Sequence, residues 1–205
     1  SSGGLGMVFS GLVAENPEKY VLVAESFFVK KIRPIFFYHL THGLKDALQK
    51  GKSFDWVSII NIYYKILVEN TRVSEPANND EQDWNAVQRA VADFLGHALG
   101  KDTCNIPMSL REKVWAIILN LSEDPEPTPA DEQRDGEGGL DPMTLAINTT
   151  RGEAIHAVVN YGLWVARNLE DKSVEVKMPP EMTALLDKHL DIKQDPSLEI
   201  RSVYG

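Results

Sequence analysis

Apolar residues recur at helical spacing along most of this chain, most clearly between Leu140 and Leu169. Ile155, Val158, Val159, Gly162, Leu163, Ala166 and Leu169 follow one another in steps of three and one. That spacing lays most of them along one stripe of an α-helix. Glu153, His156, Asn160 and Arg167 fall roughly opposite, and Trp164 sits near that polar side. Asn148 is placed to cap the helix, after a shorter turn opened by Asp141 and Pro142. Arg151 and Asn148 project towards the apolar side. A cation in a first helical turn opposes the helix dipole, so Arg151 is expected to meet a carboxylate inside the fold. Gly152 costs about 1 kcal/mol against Ala within a helix, which points to a close approach by a neighbouring element.

The same reading predicts helices elsewhere. A short one covers Met7 to Ala14, and Asn16-Pro17-Glu18 starts another that runs to about Val29. Pro34 opens a helix with Phe36, Phe37, Leu40, Leu44, Ala47 and Leu48 on its buried face, closed by Gly51. Ser53 or Asp55 caps the next, which carries Trp56, Ile59, Ile60, Tyr63, Ile66 and Leu67. After a polar loop from Thr71 to Asp80, a helix runs from about Trp84 to Gly100. Pro107 and Ser109 introduce one more, and Pro179-Pro180 starts another that ends near Leu190. Residues 172–178 hold the one strand candidate. Asp195 and Pro196 read as the cap and first position of a last helix, and since so short a helix is marginal alone, further chain is expected beyond it. The fold class predicted is all-α: antiparallel helix pairs, as a HEAT-like α-solenoid fragment or an irregular bundle. One helical domain is expected over 9–205, with residues 1–8 flexible.

Charge changes the picture in one place. The chain has 205 residues and a net charge of −9. Glu123 to Asp141 contains eight acids and one base, or −7, so the remainder carries only −2. Residues 123–139 also hold prolines and glycines and almost no large apolar side chain, and are read as a mobile acidic loop. The acidic balance argues against nucleic acid, because phosphate binding rests on clustered Lys and Arg, of which Lys30, Lys31 and Arg33 are the best example. No apolar run approaches the roughly 20 residues of a membrane span. The single cysteine, Cys104, permits no intrachain disulfide and fits a reducing, cytoplasmic setting.

Candidate chemistry is sparse. Glu153 and His156 have the i, i+3 spacing of di-iron carboxylate helices, but no second such pair exists. His39 and His42 share the spacing and could begin a zinc site only with Cys104 or His97 from elsewhere. A small helical metal-binding protein or metalloenzyme built on these pairs is the alternative reading. Cys104 precedes a helix, a position that lowers a thiol pKa, yet no nucleophile elbow or Walker A loop accompanies it. Neither catalytic residues nor a cofactor are therefore assigned. Glu153, His156, Asn160 and Trp164 are taken as candidate partner-binding residues, with Trp164 and Tyr161 expected to be covered by a second helix contact if helices stack on both sides. Asn148, Arg151 and Gly152 are taken as structural.

Three segments carry a resemblance. DPSLEIRSVYG at 195–205 resembles the opening of a HEAT-type helical repeat, in which an Asp, a small residue and an Ile-Arg pair start a helix. AINTTRGEAIHAVV at 146–159 resembles an Asn-x-x-Arg-Gly segment from helical regions of large bacterial multidomain proteins, and GKSFDW at 51–56 accords with it. The resemblance extends from about Phe9 to the end. It implies a scaffold or recognition region whose partner is a protein or another domain of the same polypeptide. Some of those proteins carry NTPase modules and have suspected defence or signalling roles.

Overall fold

The computed structural model describes residues 2–24, 26, 33–68, 84–136, 141–168 and 178–203. Every element among them is helical. In chain order they are α1 (Ser2–Glu15), α2 (Pro17–Ala24), α3 (Pro34–Gln49), α4 (Trp56–Leu67) and α5 (Trp84–Gly100). A 3-10 turn (Met108–Leu110) leads into α6 (Arg111–Ser122), followed by α7 (Pro129–Gly136), α8 (Pro142–Ala146), α9 (Thr150–Arg167), α10 (Pro180–Leu190) and α11 (Leu198–Ser202). The all-α class predicted by the apolar spacing is what forms. No described helix is long and apolar enough to cross a membrane.

Neighbouring helices pack in two successions, α1–α3–α5–α9 and α2–α4–α6, with α6 also against α9. Local signals set the ends. Asp55 caps α4 by accepting the Val57 amide at 2.9 Å, and Gly51 follows α3 with φ of 72°, a conformation that costs glycine little. The core joins both successions around Phe94 of α5, which meets Trp56 at 5.8 Å and Tyr63 at 6.0 Å between ring centroids. Each such ring pair contributes about 0.5–1.5 kcal/mol beyond its buried area. Buried Thr41 accepts the Tyr63 hydroxyl at 3.1 Å and donates to the Phe37 carbonyl at 2.9 Å, so the polar groups there are satisfied.

Several expectations need correction. Residues 2–8, read as flexible, form the start of α1, where Gly6 packs directly against the His39 ring of α3. The cap of α9 is Thr149, not Asn148: Thr149 has extended backbone and its Oγ1 accepts the Gly152 amide at 3.0 Å. Asn148 instead donates its side-chain amide to the Thr144 carbonyl at 2.7 Å, just beyond α8. The buried arc of α9 is turned from the predicted stripe. Ile155 and Val158 are buried, but Val159 and Leu163 are 38% and 50% exposed, while Val165 is buried and Tyr161 and Trp164 are covered, as the second helix contact led one to expect. The reason is that α5 and α6 both pack on α9. A helix covered on two sides buries a wider arc, and burying the large rings removes more apolar surface than Val159 and Leu163 would.

The acidic stretch is also structured where described. Residues 129–136 form α7, capped by Thr128 and Asp131, whose side chains hydrogen bond at 2.7 Å. The last helix begins at Leu198, with Ser197 rather than Asp195 as its cap. The strand candidate, apart from Met178, lies outside the described residues, as do Lys30, Lys31, Leu169 and the 71–80 loop.

Candidate functional site

The succession α3–α5–α9 places a band of polar side chains across three adjacent helices. From α3 come His39, His42, Lys45 and Asp46; from α5, Arg89, Asp93 and His97; from α9, Glu153, His156 and Asn160. Residues three and four apart share a helix face, so each set projects from one side. Lys45 joins α3 to α5, its ammonium donating to both Asp93 carboxylate oxygens at 2.8 and 2.6 Å. His97 Nδ1 stands 3.6 Å from the same carboxylate.

Glu153 stands outside the Lys45–Asp93 ion pair. It is half-buried, and no hydrogen bond to its carboxylate occurs among the described residues. Burial, with the like charge of Asp93 second, pushes its pKa up to about 7, while Lys45 and Arg89 oppose that rise. Near neutrality this carboxyl is thus divided between its acid and carboxylate forms. His156 is exposed one turn on, beside Gly96 of α5; a Cβ at Gly96 would stand 3.5 Å from its Nδ1. Asn160 donates to the Gly96 carbonyl at 3.1 Å. Burial lowers the pKa of His97 and, further along the band, of His42 and His39.

Trp164 does not belong to this band. It is 0% exposed, in contact with Tyr161 at 5.7 Å, and offers a partner no surface in this fold. Among the described residues, no group of three or more His, Cys, Asp and Glu is placed to hold a metal ion. Cys104 is half-buried, and burial raises its thiol pKa rather than lowering it. Sequence reasoning missed Lys45 and Asp93, the pair that links two helices of the band. The i, i+4 spacing of Asp93 and His97 was the available signal, but the Lys45 contact spans 48 positions and has no local signature.

A second polar centre is internal. Arg151 points an η nitrogen at Asp195, 3.6 Å away, and donates through the other to the Pro127 carbonyl. Asp195 also meets His189 Nδ1 at 2.6 Å and accepts the Ser197 amide at 3.1 Å. Above it, the Glu132 carboxylate of α7 accepts from the Ser197 hydroxyl and from the amides of Leu198 and Glu199 at 3.1 and 3.2 Å. Lys188 pairs with Glu123 at 2.5 Å. The acidic stretch therefore straps the C-terminal segment onto α9. Gly152 serves the same region: a Cβ there would fall 2.0 Å from the Ala146 carbonyl oxygen, so only glycine lets α8 abut α9. The buried centre organises structure, whereas the α3–α5–α9 band faces outward. No family model, curated protein or solved structure matches the chain.

Proposed function

We propose that this chain is a non-enzymatic helical scaffold or recognition region of a larger bacterial protein, HEAT-like in organisation and cytoplasmic, with a regulatory or defence-related role. Its partner is another protein or another domain of the same polypeptide, received on the α3–α5–α9 band at Glu153, His156 and Asn160. The solenoid reading draws support from the two helix successions, in which α1, α3, α5 and α9 pack one on the next and α2, α4 and α6 do the same.

The observation that carries the binding reading is Glu153. Its half-buried carboxyl carries a charge that burial and Asp93 both disfavour. A partner that brings a cationic or amide donor would stabilise that charge, while exposed His156 and His97 add contacts at the edge. Site-specific photo-crosslinking tests this. A benzophenone amino acid replacing His156 in the full-length protein should give one dominant adduct, to a single partner or a single second domain. The same probe replacing exposed Leu190 on α10 should not. Equal, scattered labelling from both positions would remove the basis for this reading.

A further inference from the structure

The contact between α1 and α3 is close, with Phe9 edge-on to Phe36 at 6.1 Å between ring centroids and Val13 against Gly43. A Cβ at Gly6 would fall 2.2 Å from the His39 ring, and one at Gly43 would fall 2.6 Å from the Ser10 carbonyl. Between these crossings runs a groove lined by Met7, Ser10 and Gly11 of α1 and by Tyr38, His39, His42 and Asp46 of α3. On α1, Val13 and Ala14 are buried and Phe9 partly so, whereas Leu5, Met7, Val8 and Leu12 are exposed. An element with so few buried side chains opens at lower cost than the core helices.

Both imidazoles are half-buried and line this groove. His39 meets Tyr38 edge-on at 5.3 Å, and His42 lies against the same ring at 4.3 Å. They are one helical turn apart, so two protons would place like charges side by side. The charged groups around His42 are Lys45 and Asp46 on its own helix and Arg89 and Asp93 on α5; the two carboxylates favour its protonation and the two cations oppose it. From α1, the groove receives no charged side chain, and Glu15 at the far end of that helix is engaged by Lys50 and Lys52.

We propose that α1 is a proton-released cover: protonation of His39 and His42 lifts α1 from α3 and opens the groove between them. The sign follows from linkage. Burial lowers the affinity of both imidazoles for protons in the closed form, and the neighbouring His42 lowers that of His39 further. The open form therefore takes up protons more readily, and opening is favoured as the pH falls below the ordinary histidine value of about 6.5. Glu15 is held below the ordinary carboxylate range by Lys50 and Lys52, so that anchor stays charged while the histidines titrate. The cover concerns α1 and the α3 end of the band, and it stands whether or not Glu153, His156 and Asn160 recruit a partner.

Hydrogen exchange read by mass spectrometry, corrected for intrinsic pH dependence, tests the cover. Protection of residues 2–15 should fall at least about fivefold between pH 7.5 and 5.5, with α5 and α9 unchanged. The double variant His39→Gln, His42→Gln should keep α1 protected at both pH values. Unchanged protection in the wild type, or equal loss in the double variant, overturns the proposal. Should that variant fail to fold, NMR titration of the wild-type imidazoles decides. Both must titrate below the same histidines in a peptide of residues 34–50, and titration at or above the peptide value overturns the proposal.

Discussion

Arg151 and Asp195 face each other at 3.6 Å across the contact of α9 with the C-terminal segment, their side chains only 13% and 4% exposed. The guanidinium also holds the Pro127 carbonyl, so one side chain ties the acidic stretch, α9 and the last helix together. Removing one partner of a buried pair leaves the other charge without compensation, which costs about 3–5 kcal/mol. Arg151→Ala is expected to lose about 3 kcal/mol in urea denaturation, towards the low end because His189 still contacts Asp195. A loss under 1 kcal/mol would show the pair to be incidental.

Glu132 makes a prediction confined to one element. Its carboxylate accepts from the first residues of α11, where amides lack intrahelical partners. A cap of this kind contributes about 0.5–2 kcal/mol. Glu132→Ala should therefore raise amide exchange of residues 198–203 several-fold and leave α4 and α5 untouched. Uniform change across the chain would assign Glu132 a global role instead.

At Gly152 the obstacle is backbone. The Ala146 carbonyl oxygen lies where a Cβ would be, and it cannot rotate away as a side-chain tip would. Gly152→Ala gains about 1 kcal/mol in helix propensity, but overpacking costs typically 1–3 kcal/mol, and a 2.0 Å approach belongs at or beyond the upper end. A net loss of at least about 2 kcal/mol is expected by thermal denaturation. A stabilised variant would show that α8 moves aside freely.

These residues also show what the sequence made legible. Helix positions followed from apolar spacing, proline starts and caps, because those signals act within a few residues. The need of Arg151 for a carboxylate was readable from its place in a first turn; that Asp195 supplies it was not, since 43 intervening positions separate them. The stripe of α9 was misplaced for a related reason. Its register is set by α5 and α6 together: the second contact expected at Tyr161 and Trp164 forms, but periodicity alone does not say how far it turns the buried arc. The acidic stretch misled differently: its composition cannot form a core, but Glu132 and the Pro127 carbonyl bind through single polar atoms that composition does not reveal. In the candidate band, Glu153, His156 and Asn160 share a face as their spacing predicted, while the large ring of Trp164 turned inward to the core.

Glu153 yields the prediction with a definite pH dependence. Its pKa rises from an ordinary 4.5 to about 7 on folding. A carboxyl raised in this way contributes stability that is full below its unfolded value and is lost as pH rises through the folded one. Above pH 7 the wild type thus carries an unfavourable charge that Glu153→Gln lacks. The full shift would correspond to about 3 kcal/mol, but the group is partly open to solvent, and screening reduces the expected gain to about 1 kcal/mol at pH 8. Near pH 4.5, where the folded carboxyl is already neutral, the substitution should change stability little. Paired urea melts of wild type and variant at pH 4.5 and pH 8 read this directly. Equal stability differences at the two pH values would mean that Glu153 is well solvated, and would withdraw the electrostatic argument for the α3–α5–α9 band.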